Sequence, residues 1–101
     1  MTIADLDPVI HAPKRLGAMA VLSGADGAEF SFLKEHLQVS DSDLSKQMKA
    51  LEAAGYVDIK KVGHGRNGST TYKITRSGRK ALKAHLAALQ ALVDQAVVAE
   101  H

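Results

Sequence analysis

A chain of 101 residues with 46% hydrophobic content has the size of one domain, and it can bury roughly two thirds of the surface that its unfolded chain exposes. The absence of cysteine excludes disulfides, thiolate zinc sites and cysteine nucleophiles, and it fits a cytoplasmic location. Residues 1–7 carry two acids and the longest apolar run, residues 16–22, is short, so the sequence predicts neither a secretory signal nor a membrane span.

The charge is unevenly distributed, although the net charge is only +2. Residues 60–83 hold eight lysines and arginines and no acid, whereas residues 1–59 hold five bases against nine acids. A basic block beside an acidic remainder is typical of a protein with an anionic partner. Nucleic acid is favoured over a membrane because no basic amphipathic helix carries aromatic anchors. A solvated surface explains the same clustering equally well, so charge alone does not decide.

The N-terminal part of the chain contains two helix-start signals. Asp7 and Pro8 can act as N-cap and first residue of a helix, and Pro13 begins a second apolar-periodic segment that ends near Gly24. After a short loop, residues 31–37 repeat apolar positions at helical spacing. Only three residues separate this helix from the next one, so the two are expected to pack at a steep angle as a helix-turn-helix.

Residues 41–54 predict the next helix with clear boundaries. Ser40 can cap it, Asp43 stands where a capping box needs a carboxylate, and Gly55 is a stop signal. Its apolar stripe consists of Leu44, Met48 and Leu51. The opposite face has no acid and consists of Ser42, Lys46, Lys49 and Ala53. This helix therefore has one face for a core and one for a polar partner.

Two runs of alternating residues around a glycine-rich tip predict a β-hairpin. Residues 57–60 and 71–74 alternate with period two, and the tip at residues 63–68 contains three glycines and an Asn-Gly pair, which is a strong turn signal. Tyr72 and Ile74 are expected to face the core.

A long helix, capped by Thr75, is predicted from Arg76 to about Val98. Apolar residues cover most of its circumference, and one small domain covers a helix on one side only. The sequence therefore predicts a homodimer in which two such helices pair, with the alternative that the helix folds back over its own domain. The residues assigned to the dimer interface are Leu82, Leu86, Leu89, Leu92 and Val93.

Two segments carry a resemblance to a known family: residues 44–57, LSKQMKALEAAGYV, and residues 71–82, TYKITRSGRKAL. With the order of elements around them, they resemble the bacterial and archaeal winged-helix transcriptional regulators of the MarR and ArsR type. Residues 6–11, LDPVIH, are similar to the start of their compact single-domain relatives. The likeness covers about residues 6–92.

The resemblance implies a mostly α fold with a small β hairpin, a winged helix-turn-helix with a long C-terminal dimerisation helix. Residues 1–101 are then a single winged-helix DNA-binding domain with a core at residues 8–75 and a dimerisation helix at residues 76–98. The implied function is a dimeric, sequence-specific DNA-binding transcriptional regulator. We expect a repressor, since no activation segment is evident. The recognition helix, residues 41–54, would enter the major groove and the wing, residues 63–69, would lie at the minor groove.

The implied partners are double-stranded DNA and a second copy of the chain, with no membrane. Nothing in the sequence matches the cysteine-containing metal-sensing motif of the arsenic-type repressors, so we expect no metal and no cofactor. The chain is also shorter than the MarR-like regulators whose extra helices form an effector pocket, which leaves a small-molecule effector open.

The DNA contacts are assigned by charge, reach and position. Lysine can donate to guanine O6 or N7 and serine can approach several base edges, so the base-reading residues are Ser42, Ser45, Lys46 and Lys49. A narrow minor groove attracts cationic side chains, which assigns the wing residues His64 and Arg66. The phosphate contacts are Lys60, Lys61, Lys73, Arg76 and Arg79.

Enzymatic signals are weak, and the chain is not expected to be an enzyme. The five histidines show no metal-ligand spacing, and no motif places a nucleophile beside a base. The glycine-rich tip precedes a strand rather than a helix, unlike a phosphate-binding loop. His11 and His85 can meet at a dimer interface and titrate, or can be partly exposed helix residues. The alternative function is a winged-helix protein-interaction module that docks on an acidic partner.

Overall fold

The computed structural model describes residues 3–63 and 68–99, with side chains to residue 96. A 3-10 turn at Ile3–Asp5 precedes the regular elements. These are α1 (Pro8–His11), α2 (Pro13–Ser23), β1 (Ala28–Glu29), α3 (Phe30–Leu37), α4 (Asp41–Ala53), β2 (Val57–Val62), β3 (Ser69–Ile74) and α5 (Arg76–Ala99). The predicted fold class is confirmed: the described chain is mostly helical, with a small antiparallel sheet and a long C-terminal helix.

Side-chain caps fix where three of the helices begin. The Asp7 carboxylate accepts from the Val9 amide at 2.9 Å, Ser40 Oγ accepts from the Asp43 amide at 3.2 Å, and Thr75 Oγ1 accepts from the Gly78 amide at 2.9 Å. These caps confirm the predicted starts of α1, α4 and α5. Gly55, with a φ of 79°, turns the chain out of α4.

The sheet is antiparallel with strand order β1-β3-β2. Tyr72 lies opposite Ile59 on one side and Ala28 on the other. The predicted inward direction is confirmed for Tyr72 and Ile74, which are only 3% and 5% exposed. The short strand β1 was not predicted as an element, because two residues are too few to show a period.

The core lies between α1–α4, the sheet and one face of α5. Its central side chains are Ile10, Met19, Leu22, Leu33, Leu44, Met48, Leu51 and Val57, all at most 1% exposed. Beyond this core α5 continues, so the molecule measures 57 × 25 × 20 Å. Its radius of gyration of 15.4 Å exceeds the about 13 Å of a compact chain of this length. None of the helices in the described part of the chain has the length and hydropathy that a bilayer span requires.

Two expectations about α5 are corrected by the packing. Leu82, assigned above to the dimer interface, is 5% exposed and belongs to the hydrophobic core of the chain itself, so almost none of its side chain is left for a partner. His11 and His85 do meet, but within one chain, where their ring nitrogens are 3.2 Å apart. His85 is only 1% exposed, which is neither of the two environments that the sequence left open, whereas His11 is an exposed helix residue, as the second alternative expects.

Candidate nucleic-acid interface

The helix α4 presents a polar outer face because its inner face is fully used by the core. Leu44, Met48 and Leu51 recur at helical spacing and are at most 1% exposed. The side chains on the other side are then directed to solvent, as the period of 3.6 requires. Ser42, Lys46 and Lys49 are exposed and Ser45 is half-buried, so these four predicted base-reading residues share the outer part of one helix.

A hydrogen-bonded network ties the N-terminal half of α4 to α2. Arg15 Nη1 donates to Gln47 Oε1 at 2.7 Å, and Gln47 Nε2 donates to Asp43 Oδ1 at 2.9 Å. Lys14 forms an ion pair with Asp43. The hydrogen bond from Gln47, and after it the one from Lys14, holds the pKa of Asp43 below its ordinary value. Gln47 and Asp43 therefore fix the position of the helix on α2.

An open cleft of about 400 Å³ separates α4 from the sheet. Its lining residues are Phe30, Ser45, Lys49, Glu52, Ile59, Lys61, Thr70 and Tyr72. The cleft brings together two predicted base-reading residues, Ser45 and Lys49, and one predicted phosphate contact, Lys61.

Glu52 lies at the same cleft, and the sequence reasoning missed it. The predicted outer face runs through Ser42, Lys46 and Lys49, and Glu52 lies about 60° to one side of Lys49. Spacings of four and three residues from Ser45 through Lys49 to Glu52 are the signal that could have found it. The prediction of an acid-free face therefore holds only for the narrow outer side of α4, because the side toward the sheet carries Glu52 and the side toward α2 carries Asp43, one turn before Lys46.

Strand alternation divides the predicted phosphate contacts between the two faces of the sheet. Lys61 shares a face with Ile59 and points toward the cleft with α4. Lys60 lies on the opposite face, as does Lys73, which the register pairs with Asp58. Lys73 also forms an ion pair with Asp26, with N and O 3.1 Å apart.

The other two predicted phosphate contacts lie at the start of α5. Arg76 and Arg79 are both exposed. Arg79 Nη1 donates to the carbonyl oxygen of Ser23, at the end of α2, at 2.9 Å. The wing residues His64 and Arg66 lie outside the described residues, although the strands that lead to and from them are described up to residue 63 and from residue 68.

The outer face of α5 carries exposed apolar side chains. Leu86 and Val93, seven residues apart, are 48% and 50% exposed. Leu89 and Leu92 are half-buried. Residues seven apart lie on one side of a helix, so Leu86 and Val93 share one exposed side of α5. Leu89 follows the buried Leu82 by seven residues, and Leu92 follows the buried His85, so these two half-buried leucines lie nearer the side that faces the core.

Comparison with known proteins shows the family to which this chain belongs. The sequence matches the winged helix DNA-binding domain family over residues 14–93. It is also similar to an uncharacterized protein from Methanocaldococcus jannaschii, with 35% identity over 78 residues that cover 77% of this chain and 85% of that protein.

Solved structures of other proteins have the same architecture as this chain. The structure of a transcriptional regulator homologue from Pyrococcus horikoshii superposes with a TM-score of 0.79 and 30% identity, and the match covers 86% of each chain. A MarR family transcriptional regulator from Silicibacter pomeroyi superposes with a TM-score of 0.66 and 24% identity, covering 86% of this chain and 57% of that one. At 24% identity, the similarity to the Silicibacter pomeroyi protein shows a shared fold and nothing further.

Proposed function

The chain belongs to the winged helix DNA-binding domain family, and from this premise we propose that it is a dimeric transcriptional regulator of the MarR-like type that binds specific duplex DNA sequences. The observation that carries the proposal is the division of α4. Its apolar side is buried, its flank is held by Arg15 and Gln47, and its outer side offers exposed lysines. A helix with this division is suited to enter a major groove without losing its place in the core.

In this proposal, α4 reads bases in the major groove. The flexible ammonium groups of Lys46 and Lys49 reach guanine O6 or N7, and the hydroxyls of Ser42 and Ser45 contact neighbouring base edges. Glu52, one turn beyond Lys49, repels phosphate and can accept from a cytosine amino group. A carboxylate here therefore favours specific over non-specific binding.

The hairpin and the start of α5 supply the contacts that position the DNA. Lys61 is the best supported phosphate contact, because it faces the same cleft as Lys49. Arg66 and His64 in the wing are proposed as minor-groove contacts on their chemistry alone. Lys60, Lys73, Arg76 and Arg79 remain proposed phosphate contacts of lower priority, since Lys60 and Lys73 point away from α4 and Arg79 already binds Ser23.

Dimerisation is proposed through α5, at the predicted interface residues Leu86, Leu89, Leu92 and Val93. Two copies that pair along α5 bury Leu86 and Val93, which a single chain leaves half exposed, and cover the partly exposed Leu89 and Leu92 beside them. A two-fold dimer presents two copies of α4 to successive major grooves, about 34 Å apart, and favours palindromic sites. We propose repression as the mode of regulation, since occupying promoter DNA needs no surface beyond these contacts.

The test is selection of duplexes from a random library at low salt, followed by titration of the selected duplex and a scrambled one. We expect Lys46→Ala and Lys49→Ala each to lower the preference for the selected duplex by about tenfold, since a good base contact contributes about 1–3 kcal/mol of discrimination. Lys61→Ala should weaken binding to both duplexes alike and reduce the slope of log affinity against log salt by about 1.

Lys80→Ala serves as the control, because Lys80 is exposed on α5 and has no assigned contact. Equal losses on both duplexes for the α4 variants would show that α4 does not read sequence. A chain that selects no duplex at all would favour the protein-interaction module that docks on an acidic partner.

A further inference from the structure

The short helix α1 connects the long helix α5 to the end of α4. The Asp7 amide donates to His85 Nδ1 of α5 at 3.0 Å, and the Asp7 carboxylate accepts from the Tyr56 hydroxyl, just after α4, at 2.5 Å. The Val9 carbonyl accepts from Arg15, the residue that also holds Gln47 of α4. A change in how α1 is held can therefore reach the helix proposed to read DNA.

The contact between α1 and α5 is a histidine pair, His11 and His85. Their rings meet edge to face, with centroids 5.2 Å apart, and His11 Nδ1 lies 3.2 Å from His85 Nε2. Because a backbone amide can only donate, His85 Nδ1 must carry a lone pair. The single proton of neutral His85 is then on Nε2, and it is donated to a lone pair on His11 Nδ1.

The two nitrogen atoms that carry lone pairs toward the pair, His85 Nδ1 and His11 Nδ1, each already accept a hydrogen bond from an N–H group. A proton added to His85 Nδ1 would face the N–H of Asp7. A proton added to His11 Nδ1 would face the N–H of His85 Nε2. The buried His85 ring can therefore become an imidazolium with both nitrogens protonated only if its hydrogen bond from the Asp7 amide breaks.

Burial raises the cost of the charged form of His85, whereas His11 is exposed. His85 is 1% exposed, and its pKa is lowered by desolvation first and by the neighbouring His11 second, while the Asp7 carboxylate opposes the shift. The other ionisable groups near the pair in the described chain are Tyr56, bound to Asp7, and Arg15, bound to the Val9 carbonyl beyond α1. The residues of α5 one turn before and after His85, Leu82 and Leu89, are uncharged.

We propose that the histidine pair makes the attachment of α1 to α5 sensitive to protons, so that acidification releases α1 and weakens DNA binding. A buried histidine that is neutral in the folded state stabilises the fold fully above its unfolded pKa of about 6.5, and this contribution is lost as the pH falls below that value. The effect on DNA binding rests on the proposed function, whereas the effect on stability does not.

The first experiment is denaturant unfolding of the full chain at about pH 8 and about pH 5.5. One pH unit below the unfolded pKa, we expect the unfolding constant of the wild type to rise about tenfold for a histidine that cannot be protonated in the fold. His85→Gln should lose this rise, because a neutral amide offers an acceptor and a donor at every pH. The control His36→Gln removes an exposed histidine that stacks on Phe32, and it should keep the full rise.

A second measurement keeps the proposal testable if His85→Gln does not fold. Imidazole nitrogen NMR of the wild type at about pH 8 should show His85 with its proton on Nε2 and a bare Nδ1, and the same for His11. A proton on His85 Nδ1, or an unfolding constant that does not change with pH, would overturn the proposal.

Binding to the selected duplex separates this proposal from the proposed function. More positive charge at low pH strengthens ordinary phosphate contacts, so a fall in affinity is the opposite of the usual trend. We expect wild-type affinity at about pH 5.5 to fall relative to His85→Gln by a factor of up to about ten, because affinity follows the fraction of chains that keep α1 attached. Absence of duplex binding at about pH 8 would refute the proposed function alone, whereas equal pH profiles for the two proteins would refute the coupling of the histidine pair to DNA.

Discussion

The inner and outer faces of α5 have similar apolar sequences but different environments. On the inner face, Leu82, His85 and Ala88 are at most 5% exposed and close the core of their own subunit. On the outer face, Leu86 and Val93 are about half exposed. Leu82 and Leu86 are the same residue type one turn apart, so apolarity alone does not tell which partner a leucine has. The difference shows that the chain itself covers one part of the helix and leaves Leu86 and Val93 about half exposed, where we propose that a second copy packs.

The largest effect expected from this comparison comes from truncating the two leucines separately. Leu82→Ala should lower the free energy of unfolding by about 2–5 kcal/mol, because it removes packed methyl groups and leaves a cavity. Leu86→Ala should cost less than about 1 kcal/mol at low protein concentration, since little of its side chain is buried by its own subunit. Denaturant unfolding measures both, and equal losses would mean that the two faces do not differ.

The next effect concerns how closely the inner face approaches the rest of the subunit. A Cβ added at Gly78 would lie 2.2 Å from the carbonyl oxygen of Tyr56, whereas one added at Gly17 of α2 would meet only a terminal methyl group of Leu37 at 2.9 Å. Alanine is the better helix former at both positions by about 1 kcal/mol. Gly78→Ala should nevertheless destabilise the protein by about 2–3 kcal/mol, since a backbone carbonyl moves less easily than a side chain.

Gly17→Ala is the matched control for that substitution, and it should stay within about 1 kcal/mol of the wild type. Thermal unfolding of the two variants makes the comparison. If Gly78→Ala proved as stable as Gly17→Ala, the start of α5 would not be seated against Tyr56.

The smallest effect on the fold is expected on the outer face, where the change falls on assembly. Leu86→Lys and Val93→Lys together should alter the unfolding of a single subunit by less than about 1 kcal/mol, because exposed positions tolerate charge. In sedimentation at micromolar concentration, the same variant should be a monomer while the wild type is a dimer.

Gln95→Lys adds one charge about 200° around the helix from Val93 and should leave the dimer intact. A wild-type chain that stays monomeric at micromolar concentration would remove the proposed dimer, and with it the two-fold symmetry of the DNA site.

Several features of the fold could be predicted because they depend on residues only a few positions apart. The caps Asp7, Ser40 and Thr75 accept from amides two or three residues on, and the predicted starts of α1, α4 and α5 followed from them. The apolar period of α4 likewise predicts which of its sides is buried and which is exposed. The candidate site was predictable to that extent, as a set of exposed lysines on one helix.

The composition of the cleft was harder to predict, because two elements form it. Glu52 was missed, although it lies beside Lys49 where α4 meets the sheet. Lys60 and Lys61 are adjacent in sequence and were grouped together, but strand alternation sends them to opposite faces. Only the orientation of the sheet relative to α4 decides which of the two lies at the cleft.

By itself the sequence determined the kind and order of the helices and the hairpin, since capping, periodicity and turn chemistry act within about one helical turn. Tertiary structure alone decided the contacts of α5. The amide of Asp7 meets His85 across 78 positions of the chain, and the side of the helix that includes Leu82 turns inward to the core. Such contacts depend on how all the elements pack at once, and no local pattern records that packing.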